Sequence, residues 1–139
     1  MTKVNLEKGY IPSEKEEYMN PKQLEYFKQK LMAWKEELLK EAKVTMDHLK
    51  EESLNEPDPI DKASAEMDTA SELRTRDRYR KLINKIDHAL RRVESKTYGY
   101  CEDTGEEIGL RRLEARPVAT LCIEAQERHE KQERSFSEE

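Results

Sequence analysis

Apolar residues are sparse along this chain, but where they occur they are regularly placed. Residues 1–19 show no apolar periodicity and hold Gly9, Pro12 and many charges, which predicts a flexible N-terminal arm. A helix start follows at Asn20-Pro21, where asparagine caps the first turn and proline suits the first helical position. Beyond it Leu24, Phe27, Leu31, Trp34 and Leu38 recur at alternating spacings of three and four, the mark of a heptad seam. The seam fades past Leu38, where Glu41 and Thr45 take its positions.

No helix continues through Asn55-Glu56-Pro57-Asp58-Pro59, because two prolines bracket a single residue. A second helix is predicted to start there, with Asp58 as its cap and Pro59 at its first position. Its seam is clearest late, at Ile83, Ile86, Leu90 and Val93. Projected backward it passes Tyr79, Arg76, Glu72 and Thr69, so it turns polar toward the 55–61 turn. Two helices of roughly 30 residues, about 45 Å each, joined by so short a turn make an antiparallel hairpin.

The expected organisation is a flexible arm over 1–19 and a coiled-coil hairpin over 20–96 with its tip near 55–63. A turn-rich knot over 97–121 and a C-terminal helix with its tail over 122–139 complete it. The fold class is all-α: a long hairpin, a small zinc-finger-like globular base and a last helix.

Composition narrows the function. Of 139 residues 41% are charged and 35% hydrophobic, so no large core can be filled, and 4 Gly and 5 Pro argue against a turn-dense all-β fold. No apolar run approaches the roughly 20 residues that span a bilayer, and the first ten residues lack a signal-peptide core. A cytoplasmic protein without membrane contact is expected. The net charge of -5 disfavours a surface that grips nucleic acid throughout, but that average hides a segregation. Residues 47–72 hold nine acids against Lys50 and Lys62, whereas residues 74–92 hold eight bases against Asp77 and Asp87. Ordinarily such a basic block is a solvated helix face with ion pairs of its own. Arg78, Lys81 and Lys85 nevertheless share one face.

Cys101 and Cys122 each open a four-residue unit whose last position, in a four-cysteine zinc ribbon, is a second cysteine. Here those positions are Thr104 and Ala125, so half the ligand set is missing and zinc is not expected. Two small buried residues, or a reversible disulfide, remain open on sequence grounds. His48, His88 and His129 stand apart and are expected to face solvent.

Several of these segments, in order, resemble the DksA/TraR family of bacterial transcription factors. They are Asp58-Pro59-Ile60-Asp61-Lys62-Ala63, the run from Glu72 to Ile83, Tyr98-Gly99-Tyr100-Cys101, and Arg111-Arg112-Leu113-Glu114-Ala115-Arg116-Pro117. The resemblance covers about Tyr18 to Glu133 and is to the cysteine-poor members. It implies a factor that inserts its hairpin into the secondary channel of RNA polymerase and alters open-complex stability at rRNA and amino-acid promoters. The alarmone ppGpp is implied as co-effector, with no sequence-specific contact to DNA. Carried over by position, the tip residues are Asp58, Asp61 and Ala63. The ppGpp-binding residues are Arg78, Lys81, Leu82, Lys85 and Arg116. A family lysine is replaced by Gln126, which weakens the implied phosphate grip. Asp-Pro-x-Asp is also what a helix start wants for its own sake, so capping and function coincide at the tip.

No nucleophile–base pair, phosphate-cradling glycine loop or metal cluster is evident, and an enzyme is not expected. A monomer is expected, since the seam is short and polar at one end. The alternative reading is a coiled-coil interaction or nucleic-acid-associated module without polymerase activity. Steep salt dependence on bare DNA would mark the nucleic-acid form of it.

Overall fold

The computed structural model describes residues 4–54 and 59–137, with the side chains of 49–54, 59–65, 68, 136 and 137 outside the description. It is all-α: α1 (Pro21–Leu54), α2 (Pro59–Ser95), α3 (Leu110–Ala115) and α4 (Ile123–Ser137). α1 and α2 form the long antiparallel hairpin. With 34 and 37 residues they run about 51 and 55 Å, somewhat longer than the sequence implied. Two compact units result, one of Met1–Leu31 with Asp87–Glu139 and one of Met32–Ile86.

In the first unit, α1 starts as its sequence dictates. The Asn20 side-chain oxygen accepts the Gln23 N–H at 2.9 Å, and Pro21 occupies the first helical position. The seam then runs through Phe27 and Leu31 on α1 and Ala89 and Val93 on α2, all buried. Its first position differs from the apolar expectation: Gln23 is fully buried, whereas Leu24 is only half-buried. A buried amide is tolerated because every group is used. Its oxygen accepts the Met19 N–H at 2.8 Å, and its nitrogen donates to the Ser13 carbonyl and to Glu16, each at 3.2 Å.

Residues 10–19, read from sequence as part of a flexible arm, are engaged by side-chain contacts that leave no periodic trace. The Tyr18 hydroxyl donates to the Gly99 carbonyl at 2.6 Å and accepts the Gly109 N–H at 2.9 Å. Met19, 8% exposed, lies against Gly99, where an added Cβ would sit 2.8 Å from the Met19 Cγ.

α2 ends with Lys96 in the left-handed region at φ 62°, and the chain turns into the knot. Arg92 ties that turn by donating to the carbonyls of Thr97 at 2.9 Å and Tyr100 at 2.7 Å. A small hairpin-like turn follows, with Ile108 N–H on the Gly99 carbonyl, Cys101 N–H on the Glu106 carbonyl, and a bridge between Tyr100 and Glu107. Tyr98 is 1% exposed beside Phe27, and its hydroxyl donates to the Pro117 carbonyl at 2.8 Å.

In the second unit Leu38 and Ile86 are buried. Farther along, the seam is polar. Glu41 accepts a hydrogen bond from the Tyr79 hydroxyl, and His48 Nδ1 lies 2.8 Å from Glu72 Oε1. Between Thr69 and Tyr79 the half-buried positions on α2 are Thr69, Glu72, Thr75 and Tyr79, so Thr75 takes the place projected for Arg76, which is exposed. A guanidinium there would lose hydration without a partner, whereas a threonine hydroxyl bonds its own helix, here the Ser71 carbonyl at 3.1 Å.

Candidate functional site

The second unit carries the cationic face. Arg74, Arg78, Lys81 and Lys85 follow one another at spacings of four, three and four on α2, which keeps them on one side of the helix, and all four are exposed. Ser71, Arg74, Asp77, Arg78 and Lys81 line an open groove on this face. Arg78 donates to the Thr75 hydroxyl at 3.1 Å, which steadies its guanidinium. Leu82 is half-buried beside this row. The sequence reading named Arg78, Lys81, Leu82 and Lys85. Arg74, which it counted in the basic block, and Ser71 line the same groove.

Of the tip residues, Asp58 lies outside the described residues. Asp61 and Ala63 fall in the first turns of α2, which does begin at Pro59, but their side chains lie outside the description.

Arg116 belongs to the first unit, where it ends α3. Its N–H returns to the Arg112 carbonyl at 2.8 Å, and its φ, ψ of −143°, 87° leave the helical region that a following proline disfavours. Two residues earlier, Glu114 is held from α1. One carboxylate oxygen accepts the Tyr26 hydroxyl, the other the Lys30 ammonium at 2.7 Å, and Lys30 also reaches the Glu114 carbonyl at 3.3 Å. Burial works to raise the Glu114 carboxyl, but these donors outweigh it and hold it below the usual carboxylate range. Burial, then the same carboxylate, pushes Tyr26 up to about 12.

Gln126, which stands where the family resemblance implies a lysine, is turned along its own helix and donates to Glu130 at 3.2 Å.

Cys101 and Cys122 are buried free thiols. Burial works to raise the Cys101 thiol, yet it is brought down from 9.0 to about 6. The Thr104 hydroxyl and the backbone N–H groups of Cys122, Thr104 and Asp103 favour the thiolate and outweigh burial. The Thr104 hydroxyl also sits 4.0 Å from the Cys122 sulfur, and Ala125 is fully buried.

The histidines are not isolated, as the sequence had implied: each meets a carboxylate. His88 Nε2 lies 2.7 Å from Glu102, which also meets Arg92 at 3.4 Å, and His129 Nε2 lies 2.6 Å from Asp103. With His48 and Glu72 this makes three such pairs among the described residues. Their sequence separations of 14, 26 and 24 gave no local signal.

An antiparallel pair of long helices with an exposed cationic row belongs to the class of helical-hairpin proteins. Comparison with known proteins makes the class specific. A family model described as the N-terminal domain of DnaK suppressor protein DksA matches residues 23–93, and one described as the prokaryotic dksA/traR C4-type zinc finger matches residues 96–131. The RNA polymerase-binding transcription factor DksA of Caulobacter vibrioides is 66% identical over 125 residues, 90% of this chain and 88% of that protein. Its namesake in Escherichia coli (strain K12) is 52% identical over 109 residues, 78% of this chain and 72% of that protein. The structure of transcription factor DksA2 from Pseudomonas aeruginosa matches with a TM-score of 0.79 and 44% identity, covering 84% of this chain and 90% of that one. The chain belongs to the DksA family, which consists of transcription factors and not of enzymes.

The second family model implies zinc, and the residues present do not fit it. Two of the four ligand positions hold a hydroxyl and a methyl group, neither of which is a zinc ligand, and Ala125 is fully buried. Among the described residues no three His, Cys, Asp or Glu side chains come together as a metal site. No helix is long and apolar enough to cross a membrane among those residues.

Proposed function

We propose that this protein binds bacterial RNA polymerase, enters its secondary channel with the α1–α2 hairpin, and alters open-complex stability at rRNA and amino-acid promoters together with ppGpp. The observation that carries the reading is the 66% identity, over 90% of the chain, to a relative named as an RNA polymerase-binding transcription factor. In this reading Asp58, Asp61 and Ala63 act at the tip, near the polymerase active site. Arg78, Lys81, Leu82, Lys85 and Arg116 receive the alarmone. Arginine suits phosphate by its planar fork and lysine by its compact charge, and Leu82 supplies apolar contact. Neither sequence-specific contact with DNA nor a bound metal is part of the mechanism. The factor works as a cytoplasmic monomer.

In vitro transcription from an rRNA promoter tests this, with bacterial RNA polymerase, with and without ppGpp, and with wild type beside Asp61→Asn. Inhibition that deepens with ppGpp and is lost in the variant, while the variant still binds polymerase, is the expected result. A polymerase that neither binds nor responds to the wild-type protein overturns it.

A further inference from the structure

We infer that Glu114, clamped by Tyr26 and Lys30, is a positioning residue that sets Arg116 for its anionic ligand. This rests on the reading of Arg116 given above and adds a control element to that site. α3 has six residues, too few to hold a helix by itself, so its placement depends on what grips it. Leu110 and Leu113 bury its apolar side, and Arg112 Nε donates to the Leu121 carbonyl at 3.0 Å. Tyr18 holds its N-cap through the Gly109 N–H at 2.9 Å, and its C-terminal end is gripped through Glu114, whose two carboxylate oxygens take different donors from successive turns of α1, the Tyr26 hydroxyl and the Lys30 ammonium. Lys30 also bonds the Glu114 main-chain carbonyl at 3.3 Å, so the clamp fixes backbone as well as side chain.

Arg116 lies two residues downstream, and the chain just beyond it is also held. Its own N–H is bound to the Arg112 carbonyl, its carbonyl accepts the Ala119 N–H at 3.0 Å, and the Pro117 carbonyl accepts the Tyr98 hydroxyl at 2.8 Å. The Arg116 side chain is exposed and leaves a backbone fixed on both sides. Opening the upstream side lets α3 rock about the Pro117 anchor and moves the guanidinium. Loss of placement, rather than loss of charge, is then what weakens the hold on a polyphosphate.

The experiment measures the ppGpp concentration for half-maximal effect in the transcription assay, alongside the thermal midpoint of each purified variant. Glu114→Gln keeps the shape and removes the charge. Tyr26→Phe keeps the ring that packs edge-on against Phe27 at 5.1 Å and removes only the hydroxyl. Both are expected to raise the required concentration between about twofold and thirtyfold. Lys30→Met is expected to do the same and Lys30→Arg to restore the response. Glu114→Gln combined with Arg116→Ala is expected to be no worse than Arg116→Ala alone. A lower thermal midpoint with an unchanged ppGpp requirement overturns the inference and leaves Glu114 a structural residue. If Arg116→Ala itself leaves the requirement unchanged, the alarmone reading of Arg116 fails and the inference falls with it. If Arg116→Ala raises the requirement and the clamp variants do not, the inference alone is overturned.

Discussion

His48 on α1 and Glu72 on α2 meet across the hairpin at 2.8 Å, one heptad beyond Glu41 and Tyr79 along each helix, in the opposite directions that antiparallel pairing demands. Polar pairs thus replace the apolar seam in this half of the hairpin. The replacement is imperfect: Glu72 Oε2 is buried and has no hydrogen-bond partner among the described residues. A hydrogen bond of this kind returns about 1 kcal/mol, whereas an unsatisfied buried oxygen costs about 1–3 kcal/mol. Glu72→Leu is therefore expected to raise the thermal midpoint seen by circular dichroism. A lower midpoint would mean that the bond to His48 outweighs the buried oxygen.

The hairpin was legible because its signals are local and repeated. Heptad spacing gave both helices, and the paired prolines gave the break between them. Asn20-Pro21 gave a start that the Asn20–Gln23 bond bears out. The cationic row was legible for the same reason, since three- and four-residue spacings put Arg78, Lys81 and Lys85 on one face. What stayed hidden acts across distance. Tyr18 bonds residues 81 and 91 positions away, and the contacts of Glu114 with Tyr26 and Lys30 span 88 and 84. A buried Gln23 contradicts any hydropathy pattern and makes sense only once its three partners are seen. The histidines belong with these cases, as their carboxylates come from other elements.

Gly99 has a φ of +90° and leaves room only for hydrogen, with Met19 Cγ and Sδ at 2.8 and 2.9 Å from an added Cβ. Gly105 has a φ of +76° and open space around it. Both should resist alanine through backbone strain, at a cost on the order of 1–3 kcal/mol. Gly99→Ala carries a further cost because Met19 and Tyr18 must give way. Chemical denaturation of the two variants should show Gly99→Ala as the less stable. Equal stability would mean that residues 18 and 19 yield freely, and that their packing holds the turn only loosely.

The Cys101 thiol gives stability a pH dependence of definite sign. Its folded value of about 6 lies below the ordinary 9.0, so the folded state prefers the thiolate. The stabilisation is complete above the unfolded value and is lost as pH falls toward the folded one. Denaturation midpoints should consequently rise between about pH 6 and pH 9, and Cys101→Ser should flatten that rise. A slope that persists in Cys101→Ser would assign it to another group. Thiolate absorbance in the folded protein gives a second reading of the same titration.

Gln126 offers a gain-of-function test of the alarmone reading, which loss of a residue cannot give. It sits on the first turns of α4 with its amide turned to Glu130, and it adds no charge. Lysine there supplies a cation on a long stem, able to reach a phosphate as a point charge. The new ammonium also stands four residues before Glu130, at the spacing of a helix ion pair. That pairing is exposed, worth a few tenths of a kcal/mol, and a polyphosphate bearing several charges should compete it away. Gln126→Lys is accordingly expected to lower the ppGpp concentration for half-maximal effect, by roughly tenfold if the new contact returns about 1.4 kcal/mol. Lys85→Ala is expected to move it the other way. An unchanged requirement in Gln126→Lys, with Lys85→Ala impaired, would leave position 126 out of the alarmone reading. No change in either would remove the alarmone from this protein's mechanism.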